Sequence, residues 1–435
     1  MARTKLTILT AICLLATSGL SLAARPRLPG PQMLNRFGLE RSWWGQAQLN
    51  SKRDQVTFVT VDEEALYVQA SSGSITAFDA ESGKRLWSAQ RGRRDAPGQP
   101  AASNDKLVLV ISGMYLYAFD KWSGQLAWEL RLPKIPSTSP TIDKDRVYVG
   151  SLDGSVFAFN LEKIAELYDE RLLPQWTQVA VDWRFRTTKE VTTPPVSANG
   201  RVLFASLDQS LYSVDADTRS QHLQFETDAP VSAPLGYSNG FLYLASEDFN
   251  LYCINVDNGS VRWQARMGLP VHKAPRVIGQ HVMVMPLRGG MHYLSATTGR
   301  RQWWRPEANE LVAASLDLIY ASEQSGNILI IDRVDGAPLG ILPLSGYDIQ
   351  VPNDRTDRLY MATRSGLVVC LREKGVEFPI YHRFPERRPL LPEFAPEEGE
   401  VIEGEDGESA DAATAEGEPA PPDPEPEDDF FSDPN

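Results

Sequence analysis

The sequence predicts an all-β fold: an eight-bladed β-propeller whose blades are four-stranded antiparallel sheets. Three observations carry that prediction. A unit of two short apolar runs around a small-residue turn occurs eight times, its spacing stays near 40 residues, and a Pro and a Trp recur in phase with it.

The unit is clearest in LVLVISGMYLYAFDKWSGQLAW, residues 107–128. Residues 107–111 are apolar, Ser112-Gly113 forms a turn, and a second apolar run ends on Asp120, with Gly124 and Trp128 beyond it. β-Branched and aromatic residues bounded by Ser and Gly read as a hairpin followed by the start of another strand. Aligned on the residue ending the second run, the copies stand at Asp79, Asp120, Asn160, Asp215, Asn255, Ser295, Asp332 and Leu371. Successive spacings are 41, 40, 55, 40, 40, 37 and 39 residues. About 20 residues ahead of the anchor stands a Pro (Pro100, Pro140, Pro195, Pro234, Pro275, Pro352), and about eight after it a Trp (Trp87, Trp128, Trp263, Trp303). Proline removes a ladder donor, so its strand must be an edge; the innermost strand of every propeller blade is one.

In chain order, residues 1–23 read as a secretory signal, with Arg3 and Lys5 ahead of an apolar stretch (6–16) and a small-x-small site at Ser21-Leu22-Ala23. Export as a soluble protein to the periplasm or cell envelope is expected, with no transmembrane segment in the mature chain. Residues 24–37 read as a linker and 38–384 as the propeller. Within it the 55-residue step has a visible cause: LEKIAELYDERLLPQW (161–176) keeps Ile164, Leu167, Tyr168 and Leu172 at helical spacing, up to Pro174. Trp183 stands 32 residues before Asp215, as Trp128 does before Asn160, so the repeat resumes after an inserted surface helix. An open ring would leave a sticky strand edge. Arg41-Ser42-Trp43-Trp44 resembles the end of a repeat without its beginning, and is expected to complete the eighth blade; residues 376–384 are the rival for that place.

From residue 385 the chain reads as a disordered, acidic, Pro/Glu-rich tail. Residues 395–435 hold 16 of the 57 acidic residues and none of the 43 basic ones, so the net charge of −14 belongs to the tail and the body is near neutral. The body gives no electrostatic sign of nucleic-acid binding. Cys253 and Cys370, in apolar strands far apart in the repeat order, are expected to be buried free thiols rather than a cross-link.

The element A-[FV]-[DN]-x-x-[ST]-G-x-x-x-W, as in Ala77-Phe78-Asp79 through Gly83 to Trp87, resembles the pyrroloquinoline-quinone-type propeller repeat, over about residues 40–384. Physically, Gly83, Gly124, Gly259 and Gly299 permit a turn with positive φ, Asp79 and Asp120 satisfy donors within it, and Trp87, Trp128, Trp183, Trp263 and Trp303 supply flat surface for blade docking. Two branches share this repeat: quinoprotein dehydrogenases, which hold the quinone and calcium, and non-catalytic docking platforms such as the outer-membrane assembly factor BamB. The chain is more similar to the second. It lacks the long inter-blade insertions and the adjacent cysteine pair of the enzymes. The resemblance implies a monomeric protein-binding scaffold in the cell envelope, with no catalytic residues, cofactor or metal. A small-molecule-sensing propeller and a quinone- and calcium-dependent dehydrogenase are the alternatives.

Local function is expected where blades differ. Ahead of the repeating Pro most blades carry small residues, but two carry His272-Lys273 and Asp348-Ile349-Gln350; Glu310 occupies the equivalent region of blade seven and is placed to face them. Such groups on a channel could bind a polar ligand or a partner. Arg288 replaces the usual acidic or small residue in a blade-six turn and could pair with an acidic partner. With five His and no pair at i, i+4, no zinc-ligand spacing appears.

Overall fold

A computed structural model describes residues 28–383 apart from Asp95; the stretch read as a secretory signal (1–23), the acidic tail and its Phe430-Phe431 pair lie outside the described residues. The chain enters through helix α1 (Pro31–Asn35) and strand β1 (Leu39–Gln46), then builds blade 1 from β2 (Val56–Val61), β3 (Ala65–Ala70), β4 (Ser74–Asp79) and β5 (Arg85–Gln90). β3 is buried along its whole length and β4 nearly so, because apolar side chains on both faces pack against neighbouring blades, whereas β5 alternates with solvent. Six further four-stranded sheets follow in sequence order, and the eighth pairs Ile349–Val351, Leu359–Ala362 and Leu367–Glu373 with β1.

Closure is therefore made by the N-terminal strand, with Leu39 opposite Glu373 and Gln46 opposite Leu367. The rival segment, as far as it is described, crosses over blade 8 instead. Glu377 O accepts from Arg358 Nη2 (2.9 Å), Ile380 N donates to Asp357 Oδ1 (3.0 Å) and His382 N to Arg355 O (2.8 Å). Arg358 is fully buried and reaches into blade 1, where Nε donates to both oxygens of Glu81 at 3.2 and 3.1 Å.

Seven of the repeat anchors end the third strand of their blades, as expected. The Asp79 carboxylate accepts from Ser82 N (2.7 Å) and Oγ (2.6 Å), which holds the turn that Gly83 completes at φ +67°. That glycine also has a second, steric role. A Cβ at Gly83 would lie 2.3 Å from Trp43 of the preceding blade, and the same holds for Gly124 with Trp87 (2.4 Å) and Gly299 with Trp263 (2.5 Å). Each indole then donates to a backbone carbonyl one residue past the next anchor: Trp43 to Ala80 (2.8 Å), Trp87 to Lys121 (2.7 Å), Trp183 to Ala216 (2.7 Å) and Trp263 to Ala296 (2.9 Å). The Asp–Gly turn of one blade and the Trp of its predecessor thus form one joint, repeated around the ring.

Trp128 differs because blade 3 carries the insertion there. It packs with Ile164 and Leu167 of helix α2 (Leu161–Asp169), whose N-cap Asn160 accepts from Lys163 N at 3.0 Å. The helix is shorter than 161–176: it stops at Asp169, with Arg171 in the left-handed region at φ +60°, before Pro174 is reached. Trp128→Ala is expected to cost about 3–5 kcal/mol in urea unfolding, from lost burial and the cavity left against the helix; a loss below about 1 kcal/mol would contradict that packing.

Two smaller differences concern the edges of the repeat. The stretch 24–37 read as linker folds from Pro31 into α1, and buries Leu34 in the core between blades 7 and 8. The repeating Pro mostly stands immediately outside the innermost strand rather than within it; Pro100 is the exception, inside Gly98–Ser103. Cys253 and Cys370 are buried and unbridged.

Candidate functional site

Because strands alternate in direction, the ring has two unlike faces. The turns between first and second strands and between third and fourth strands lie on one, here the upper face. The turns between second and third strands and the connections between blades lie on the other, the lower face.

His272, Lys273, Glu310, Asp348 and Gln350 all stand at the lower end of innermost strands, as their phase in the repeat implies, but they do not form one group. Lys273 Nζ meets Glu310 Oε2 at 3.1 Å and also donates to Asn309 O. His272 turns toward blade 5, with Nδ1 2.8 Å from Ser232 Oγ and 3.5 Å from Glu247 Oε1. Asp348 accepts from Arg364 N at 3.3 Å, and Gln350 donates to Gly326 O at 2.6 Å, both toward the turns of blades 7 and 8. Arg288 is exposed in a lower-face turn at φ +58°.

The same face carries exposed apolar side chains in two groups. Ile135 and Leu152 sit on adjoining loops joined by Leu152 N donating to Ile135 O at 3.0 Å. Leu269 and Leu287 do the same in blade 6, where Leu287 N donates to Pro270 O at 2.8 Å, beside Arg288. Phe249 is exposed between these groups, on blade 5. Burying such residues against a partner is favourable, and their polar neighbours supply a rim.

Beneath this region His292 is buried beside Trp304, whose indole donates to Gly289 O at 2.6 Å. Burial, reinforced by the Arg301 charge, pushes its pKa down to about 4. The fold thus favours the neutral ring. Its stabilising contribution is complete above the ordinary value near 6.5 and is lost as the pH falls from there to about 4. The loss at pH 4 is expected to reach about 3 kcal/mol. Urea titrations at pH 7, 5.5 and 4 should show a shallower pH dependence in His292→Gln than in the parent; parallel curves would contradict this.

The upper mouth of the channel holds a charged cluster that the repeat pattern did not expose. Asp62 and Glu64, in the first turn of blade 1, meet the buried Lys121 of blade 2 at 3.1 and 2.8 Å. Burial works to raise the Asp62 pKa, but Lys121, Ser103 and two backbone donors outweigh it and hold the carboxyl below its usual range. Next to this, Arg355 of blade 8 pairs with Glu63 at 2.8 Å and lies 3.7 Å from Asp354, which Arg276 of blade 6 approaches to 3.5 Å. Burial would also raise the Asp354 pKa, yet Arg276, Arg355 and Arg383 together keep it low. Asp62, Glu63, Arg276 and Arg355 border a cavity of about 540 Å³ at the ring's centre, with Ser103, Ser197 and Tyr237 on its wall. The available signal was local: Asp62-Glu63-Glu64 and the run from Asn353 to Arg358 are richer in charge than the matching turns of blades 4 to 7, though blade 3 carries Asp143-Lys144-Asp145 there.

Among the described residues no group of three or more His, Cys, Asp or Glu is arranged to hold a metal ion, and no helix is long and apolar enough to cross a membrane.

A family model described as outer membrane protein assembly factor BamB matches residues 41–168 and 219–376. Among solved structures, BamB from Moraxella catarrhalis is similar with a TM-score of 0.61 at 15% identity, over 78% of this chain and 98% of that one. The computationally designed Ika8 protein is similar with a TM-score of 0.58 at 15% identity, over 75% of this chain and 99% of that one. At such identities these likenesses establish the propeller fold alone. No curated protein sequence matches the chain.

Proposed function

The chain belongs to the family of outer membrane protein assembly factor BamB, and from that premise we propose that it is an exported, non-catalytic propeller that binds protein partners in the cell envelope through its lower face. The observation that carries this reading is two pairs of exposed apolar side chains there, Ile135 with Leu152 at blade 3 and Leu269 with Leu287 at blade 6, the second pair on the blade that carries His272, Lys273 and Arg288. A central apolar contact with a polar rim is the usual anatomy of a protein interface. The upper face also exposes apolar side chains, Trp122 of blade 2 and the pair Leu316 and Val334 of blade 7.

The near-neutral body and the secretory reading of residues 1–23 support envelope localisation without nucleic-acid contact. The test is retention of envelope proteins on the immobilised full chain. A Leu152→Glu, Leu287→Glu double variant with an unchanged melting temperature should lose the retained partner, whereas Val334→Glu should keep it. The parent protein mixed with pyrroloquinoline quinone and calcium should reduce no dye with alcohols or sugars. Dye reduction, or retention insensitive to the double variant, would overturn the reading.

A further inference from the structure

At the upper mouth four carboxylates (Asp62, Glu63, Glu64, Asp354) meet four cations (Lys121, Arg276, Arg355, Arg383), and of these cations only Arg383 stands outside an ion pair among the described residues. Asp62 and Glu64 are engaged by Lys121, at 3.1 and 2.8 Å. Glu63 and Asp354 are matched by Arg355 and Arg276. Arg383 borders the same cavity and is electrostatically coupled to Arg355, Asp354, Glu63 and Arg276, yet among the described residues no carboxylate lies within ion-pair distance of it. It is solvent-exposed, so its donors are accessible at the rim.

We propose that this mouth is a binding seat for a small ligand bearing one carboxylate or phosphate group, which Arg383 receives while Arg276 and Arg355 frame it. Guanidinium forks match such planar or tetrahedral oxyanions, and a partly enclosed cavity strengthens the charge-assisted hydrogen bonds. The neighbouring ion pairs fix the framing arginines, so little side-chain entropy is lost when the anion arrives. The cavity's volume, about 540 Å³, is that of a small-molecule site. Hydroxyls on its wall, Ser103, Ser197 and Tyr237, would contact the uncharged part of the ligand. The seat lies on the face opposite the proposed docking loops, so its occupancy and partner binding are separable.

Titration calorimetry of the full-length protein at low, constant chloride, with citrate and with inorganic phosphate as probes, tests this. Saturable binding with a Kd below about 1 mM is expected for at least one probe, weakened about tenfold or more in Arg383→Gln. That variant removes no ion pair among the described residues, so its melting temperature should match the parent's. Arg85→Gln, on the exposed outer strand of blade 1, should bind as the parent does. Equal weakening in both variants would mean diffuse electrostatics and would overturn the proposal. So would the absence of saturable binding, whether because the seat is incomplete or because the chain's own acidic tail fills it.

Discussion

A chain lacking residues 39–46 is expected to lose its single cooperative unfolding transition. β1 pairs along its length with Leu367–Glu373, and Glu40 Oε1 accepts from Arg372 Nε at 2.7 Å across that pair. It also delivers Trp43 into the joint of blade 1, against Gly83 and Phe78. Without it, the edge containing Val368, Val369 and Cys370, now fully buried, would be left open to pair with other chains. Calorimetry of the truncated protein should show a broad or absent transition accompanied by aggregation. An unchanged melting transition would mean that the ring closes by other means.

Arg358→Ala is expected to cost about 3–5 kcal/mol, among the largest effects of any single side chain outside the strand pairings. The guanidinium is fully buried; it spans Glu81 of blade 1, Asp357 of its own turn and the Glu377 carbonyl of the terminal segment. Burial already raises the pKa of Glu81 and of Asp357, with Arg358 pulling the other way. Removing the arginine leaves the buried Asp357 and the half-buried Glu81 carboxyl without their countercharge, so both should take up protons at higher pH. Adding Glu81→Gln to Arg358→Ala should recover part of the loss in urea unfolding at pH 7. A single-variant loss below about 1 kcal/mol would show that the seam does not depend on this contact.

The ring was legible in the sequence because its joints are built from residues at fixed phase. Asp79, Gly83 and Trp87 recur because most blades receive an indole at this turn and supply one to the next; blade 4 departs, with Arg219 in the left-handed turn position and Leu223 packed on Gly259 where an indole would stand. The closing strand was legible for the same reason: Trp43 is the indole that Gly83 requires. Phase places residues at an end of a strand but does not aim their side chains. It brought His272, Lys273, Glu310 and Asp348 to the lower mouth, yet only Lys273 and Glu310 meet there. The upper cluster escaped notice because its partners are remote in the chain: Arg355 and Glu63 are 292 residues apart, and each alone reads as an ordinary charged turn residue. The helix ended early because a turn through Arg171 competes with continued helix before Pro174, a choice that apolar spacing does not record.

The central claim, that partners dock on the lower face, is tested most directly by site-specific photo-crosslinking in intact envelopes. A photoreactive residue at position 152 or 287 should yield a discrete crosslinked envelope protein, and one at position 334, on the upper face, should yield none. The same adduct from position 334 with none from 152 or 287 would place the partner on the wrong side of the ring and contradict the account.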